Sequence, residues 1–164
     1  MKVTYSDLKN KRVFISGGGS GIEATIVEYF CEQKSEVYFI DIDLKSSNKL
    51  IKNIKKKGFR VPKFIECNIL NVKKLQNIIK DIISKKGAIH CLINSAANDD
   101  RHTTEQVDEK YWENRMGINL KHYFFAAQAV VKGMKKIKSG SIVNLSSVSW
   151  MLGEGDKVVY ETAK

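Results

Sequence analysis

Proline is almost absent. Pro62 is the only one in 164 residues, which excludes a proline-rich linker and leaves little room for long irregular loops. Cysteine is scarce too. Cys31, Cys67 and Cys91 are odd in number, far apart and never in C-x-x-C spacing. That pattern argues against a zinc site and points to reduced thiols in the cytoplasm. No apolar run approaches the ~20 residues that cross a bilayer, so no membrane partner is expected. The first ten residues are polar and mixed in charge, without the apolar stretch and cleavage site of a secretory leader. There is no internal repeat and no low-complexity tract.

What is present is a globular composition, 43% hydrophobic, long enough for one domain over residues 1–164 with a buried core. The formal net charge is +10, so nucleic acid must be considered. The lysines are spread along helical segments such as 45–57 and 132–138, with no recognition-helix or finger pattern beside them. They read as solvated helix faces. No nucleic-acid partner is expected, whereas a basic surface suits an anionic dinucleotide.

Strand and helix alternate along the chain. Residues 12–16 (RVFIS), 36–42, 63–67, 89–93 and 141–145 read as short buried strands. Helical periodicity occupies 22–33, 45–57 up to Gly58, 71–85 with Asn71 as cap and Gly87 as stop, and 107–137 with an irregularity near Gly117. A last helix begins near Lys157. Strands separated by helices of this length imply βαβ units and a parallel sheet. Right-handed crossovers predict a doubly wound α/β layer of order 3-2-1-4-5, with a ligand crevice where the order reverses, between strands 1 and 4.

Directly after strand 1 comes Gly17-Gly18-Gly19-Ser20-Gly21. Glycine permits positive φ and close approach of backbone to a ligand. The helix that follows offers free N–H groups to a diphosphate. A register on Gly17 and Gly21 is preferred to the one that starts at Gly19, which lies too far past the strand. Asp41 stands at the end of strand 2, 24 residues after Gly17. A carboxylate there accepts from ribose hydroxyls and repels a 2′-phosphate, which favours NAD over NADP. Its alternative is a plain strand-end cap.

Together these residues resemble the short-chain dehydrogenase/reductase family, a Rossmann-type fold. The segment Ser16-Gly17-Gly18-Gly19-Ser20-Gly21-Ile22-Glu23 is similar to its T-G-x-x-x-G-I-G. Asn68-Ile69 occupies the place of its acidic-Val pair at the adenine. Asn94-Ser95-Ala96-Ala97 is similar to N-N-A-G after strand 4, Asn119 to its N-L position, and Tyr160-Glu161-Thr162-Ala163-Lys164 to Y-x-x-x-K. Ser147 precedes Tyr160 by 13 residues, as in the family's catalytic pair. The resemblance implies catalysis by Asn119, Ser147, Tyr160 and Lys164. It implies a cofactor site at Ser16, Gly17, Gly19, Ser20, Gly21, Ile22, Asp41, Asn68, Ile69, Asn94, Ala96, Tyr160 and Lys164. The segments at 98–102 (NDDRH), 111–115, 119–122 and 147–150 further resemble the family's NAD-dependent sugar 1-dehydrogenases, of the D-xylose and other aldose type. That resemblance implies oxidation of an aldose at C1 to its lactone.

The chemistry fits those residue types. A tyrosine with a pKa near 10 is a poor base at neutral pH. Lys164, four residues on and on the same helix face, favours its phenolate by Coulomb attraction. Ser147 can hold the reacting oxygen near the tyrosine hydroxyl. The family resemblance implies that Asn119 supports a water linked to the lysine, and that Lys164 also binds the nicotinamide ribose. Asn98, Arg101, Ser147 and Trp150 are candidate sugar contacts. Asn98 and Arg101 sit on a polar loop at the rim that is otherwise simply solvated, and Trp150 is otherwise a packing residue. His102 has no metal-ligand partners in a recognisable spacing, so no metal is expected.

Two departures stand out. Glu23 replaces the third glycine, where a carboxylate would cost packing and repel a diphosphate. The family also continues past the lysine with more helix, two strands and a substrate-covering segment, and its members are commonly homo-oligomers. The chain is therefore expected to be a C-terminally shortened dehydrogenase lacking the family's last strands. The alternative is a catalytically inactive remnant with at most weak dinucleotide binding.

Overall fold

The computed structural model describes residues 3–164, so Met1 and Lys2 of the expected 1–164 domain lie outside the described residues. Five parallel strands form one sheet in the order β3-β2-β1-β4-β5. They are β1 (Arg12–Ser16), β2 (Glu36–Asp41), β3 (Lys63–Glu66), β4 (Cys91–Asn94) and β5 (Ser141–Asn144). The helices are α1 (Gly21–Glu32), α2 (Leu44–Lys56), α3 (Val72–Lys86), α4 (Glu109–Met116), α5 (His122–Lys136), α6 (Ser149–Leu152) and α7 (Val158–Ala163). The expected strand order is the observed one.

Alternation along the strands explains the layers. On β1, Val13 and Ile15 point to one face, where Val27 and Cys31 of α1 and Leu50 and Ile54 of α2 cover them. Phe14 points to the other, against Leu75, Ile79 and Ile82 of α3 and Ala126 and Val130 of α5. A central strand buried on both faces reads as a continuous apolar run, not as apolar–polar alternation. Cys31, Cys67 and Cys91 are unpaired. Burial pushes the Cys31 thiol up to about 12, so it behaves as a small core hydrophobe.

Side-chain caps mark the starts of α2 and α3. Asp43 accepts from the Ser46 N–H at the head of α2, and Asn71 from the Lys74 N–H at 2.9 Å at the head of α3. The irregularity near Gly117 is a π-helical segment, Gly117–Lys121, between α4 and α5. Gly117 lies against Leu70, whose Cδ2 would stand 2.7 Å from any added Cβ. The short helix α6 lies outside the sequence expectations. Four residues are too few for a helical period to register. Strand β4 also begins two residues later than expected. Ile89 is fully buried but precedes the ladder, while the His90 N–H donates to Arg12 O.

Strand register puts the ends of β1, β2 and β4 level, with Ser16 opposite Ile40 on one side and Asn94 on the other. The crevice opens above these ends. Among the described residues no helix is long and apolar enough to cross a membrane.

Ile79 is fully buried between α3 and the sheet. Ile79→Ala removes most of its side chain from a packed interior. A loss of about 2–5 kcal/mol is expected in a urea unfolding curve.

Candidate active site

The turn after β1 is built on close approach. The Gly17 N–H donates to Ile40 O at 2.8 Å, and Gly17 adopts φ +79°. A Cβ at Gly17 would stand 2.8 Å from Ala96 Cα, so only glycine lets the turn lie against the segment after β4. Gly19 donates its N–H to Asp41 Oδ2 at 2.8 Å, and Asp43 donates to Oδ1 at 2.9 Å. Asp41 therefore braces the turn as well as facing the crevice. Ser16 Oγ accepts from the Ser95 N–H at 3.0 Å and lies 3.3 Å from His122 Nε2. Burial holds the His122 imidazole down near 4, so it is neutral.

These elements bound a cleft of about 430 Å³. Of the residues assigned from the sequence, Gly17, Ser20, Asp41, Asn68, Ile69, Ala96 and Asn98 line it, and Glu23 and Ile118 join them. Ser16, Gly19, Gly21, Ile22, Asn94, Tyr160 and Lys164 are not in its wall. Ser16 and Asn94 are fully buried beneath it, and Ile22 is exposed. The Asn94 amide bridges β4 to β5 through Asn144 Oδ1 at 2.9 Å. Asn68 Oδ1 accepts from the Leu70 N–H, forming a turn into α3.

A second group of residues gathers behind the β4–β5 end. Asn119, fully buried in the π segment, takes the Asn98 N–H on Oδ1 at 2.8 Å and returns Nδ2–H to Asn98 O at 3.0 Å. Lys164 Nζ donates to Tyr123 Oη at 2.5 Å and to Leu145 O at 3.0 Å, and stands 5.7 Å from the Tyr160 ring centre. Burial lowers Lys164 to about 8, an effect that the Glu23 carboxylate opposes. The Tyr123 phenol is pushed up by burial, so it stays protonated. Ser147 Oγ pairs with Ser149 Oγ at 2.8 Å.

The polar loop 98–102 is less free than its composition implies. Arg101 pairs with Asp156, and Arg115 donates to Asp100 at 2.8 Å. His102 is buried. Its Nδ1 lies 2.9 Å from Asp100 O and from Tyr111 Oη, and its Nε2 accepts the Val159 N–H at 3.3 Å. That last bond satisfies one of the free N–H groups at the start of α7, so the loop supports the helix that carries Tyr160. Trp150, on α6, is 55% exposed. Tyr123, His102 and the Glu23–Ser95 contact had no spacing signal in the sequence. Each pairs residues far apart in the chain. No group of three or more His, Cys, Asp or Glu that could hold a metal occurs among the described residues.

Comparison with known proteins agrees with this arrangement. The chain is 41% identical over 161 residues to a D-xylose 1-dehydrogenase of Caulobacter vibrioides, and 38% identical over 160 residues to a Rhizobium meliloti protein named "Probable galactose dehydrogenase GalD". Each match covers 98% of this chain and 62% of the relative, so the chain spans under two thirds of the length of these curated relatives. Among solved structures, the Thermoplasma acidophilum aldohexose dehydrogenase in ligand-free form superposes with a TM-score of 0.82 at 26% identity. That match covers 97% of this chain and 58% of the other. Residues 11–164 match the family described as short chain dehydrogenase, and the chain belongs to it.

Proposed function

We propose that this chain carries the cofactor cleft and the catalytic side chains of an NAD-dependent aldose 1-dehydrogenase, which oxidises the C1 hydroxyl of a sugar to a lactone. The observation that carries the reading is the placement of Tyr160 on α7 and of Lys164 at its C-terminal cap, where Lys164 Nζ stands 5.7 Å from the Tyr160 ring centre and donates to Leu145 O just past β5. The two sugar dehydrogenases among the relatives support the substrate class.

Asp41 lines the cleft together with Ile42 and Ile69. An apolar slot with a carboxylate at its edge fits an adenosine, with the ribose hydroxyls donating to Asp41 and a 2′-phosphate repelled. NAD supplies the hydride acceptor when bound. The rest falls to this chain. Tyr160 Oη takes the hydroxyl proton, and the Lys164 ammonium beside it favours the phenolate. Ser147 orients the reacting oxygen, while Ser149 Oγ fixes its rotamer. Asn119 holds Asn98 at the rim, where the loop with Arg101, and Trp150 on α6, can meet sugar hydroxyls and the ring face.

Three outcomes are expected. In calorimetry NADH binds more tightly than NADPH, and Asp41→Asn, which keeps an acceptor for Gly19 N–H, narrows the gap by about tenfold, or ~1.4 kcal/mol. A parent chain that prefers NADPH contradicts the cofactor assignment. Joined to the C-terminal portion of a sugar dehydrogenase, the chain forms NADH from xylose or arabinose. Tyr160→Phe lowers that rate by at least ~100-fold with little change in NADH affinity. NADH binding with no aldose turnover in the joined chain instead supports binding without catalysis.

The third outcome concerns charge. Burial disfavours the Lys164 ammonium, so the proton leaves at lower pH than from a free lysine, near 8. Acylation of Lys164 by an amine reagent, followed by peptide mass spectrometry across pH, has its midpoint there. A midpoint at the ordinary lysine value of about 10.4 removes the buried position.

A further inference from the structure

The cleft proposed to hold the nucleoside is also lined by the carboxylate of Glu23. Glu23 is the third residue of α1 and the acidic residue of its first turn. It lines the same cleft as Gly17, Ser20 and Asp41. Its Oε1 accepts a short hydrogen bond from Ser95 Oγ. Its Oε2 folds back over the helix start, 3.1 Å from where a Cβ on Gly21 would stand. Ser95 is itself held, 3% exposed, with its N–H on Ser16 Oγ. The carboxylate is therefore fastened across the gap between α1 and the segment after β4, at the β1–β4 switch.

A glycine turn running into a helix N-terminus attracts a diphosphate because its N–H groups and dipole are unmatched by protein anions. Here a protein anion already stands at that end: Glu23 lies in the first turn of α1 with Oε2 turned toward Gly21. An incoming diphosphate meets a carboxylate that already holds the Ser95 hydroxyl and repels a second anion.

Resting on the reading of this cleft as a dinucleotide site, we infer that Glu23 is a built-in anion at the diphosphate position, so that the cleft prefers a nucleoside to its phosphorylated forms. Added negative charge weakens binding here, the reverse of an ordinary glycine-turn site.

The test is a charge series of adenosine, AMP and ADP, titrated into the 164-residue chain and its Glu23→Gln and Ser95→Ala variants by calorimetry. In the parent, affinity falls from adenosine to ADP. In Glu23→Gln, ADP gains about tenfold, or ~1.4 kcal/mol, while adenosine is unchanged. Ser95→Ala, which unfastens the carboxylate without removing it, moves ADP in the same direction by less, and it stands in if Glu23→Gln does not fold. ADP binding at least as tightly as adenosine in the parent overturns the inference while leaving the dinucleotide site intact. So do equal gains for both ligands in Glu23→Gln, or no gain at all. Failure of all three ligands to bind any of the proteins overturns the cleft reading and this inference together.

Discussion

The contact between the glycine turn and the chain leaving β4 is the constraint on which the rest depends. Gly17 lies so close to Ala96 that a single added carbon would overlap its backbone. Ser16 Oγ seals the junction by accepting from Ser95. The two segments leave the sheet on either side of the point where strand order reverses, and the cleft is the space they leave between them. Loosening that junction would shift the start of α1, the position of Glu23 and the wall formed by Ala96 and Asn98 at once.

Burial then assigns the charges. Within a few residues' reach of one another stand a neutral histidine, a protonated tyrosine and a lysine whose ammonium is weakened by desolvation. Each responds to the same loss of water. Lys164 is held by the Tyr123 hydroxyl and a backbone carbonyl, both uncharged, and the Glu23 carboxylate opposes the effect of burial on it. The residue that departs from the glycine motif is thus tied electrically to the residue that completes the tyrosine–lysine pair.

Long-range polar contacts give the rim its shape. The π-helical segment turns Asn119 inward to clasp the backbone of Asn98, a placement typical of such segments at functional sites. His102 ties the same loop to the first turn of α7. A loop that looks like free polar chain is thereby a strut between α4 and the helix bearing Tyr160, with Arg101–Asp156 and Arg115–Asp100 as outer braces.

The sequence by itself determined the parallel sheet, its strand order, the glycine turn and the irregularity at Gly117. All of these are written in local periodicity and in the positions of a few special residues. It also named Asp41, Asn119, Ser147, Tyr160 and Lys164, because their motifs are short and ordered along the chain. Only the tertiary structure decided which atoms meet. Glu23 reaches Ser95 across 72 residues, Val159 reaches His102 across 57, and Lys164 reaches Tyr123 across 41. No spacing rule links such pairs. Their meeting depends on helices of particular length returning the chain to the same edge of the sheet, and on the desolvation that this edge imposes once it is covered.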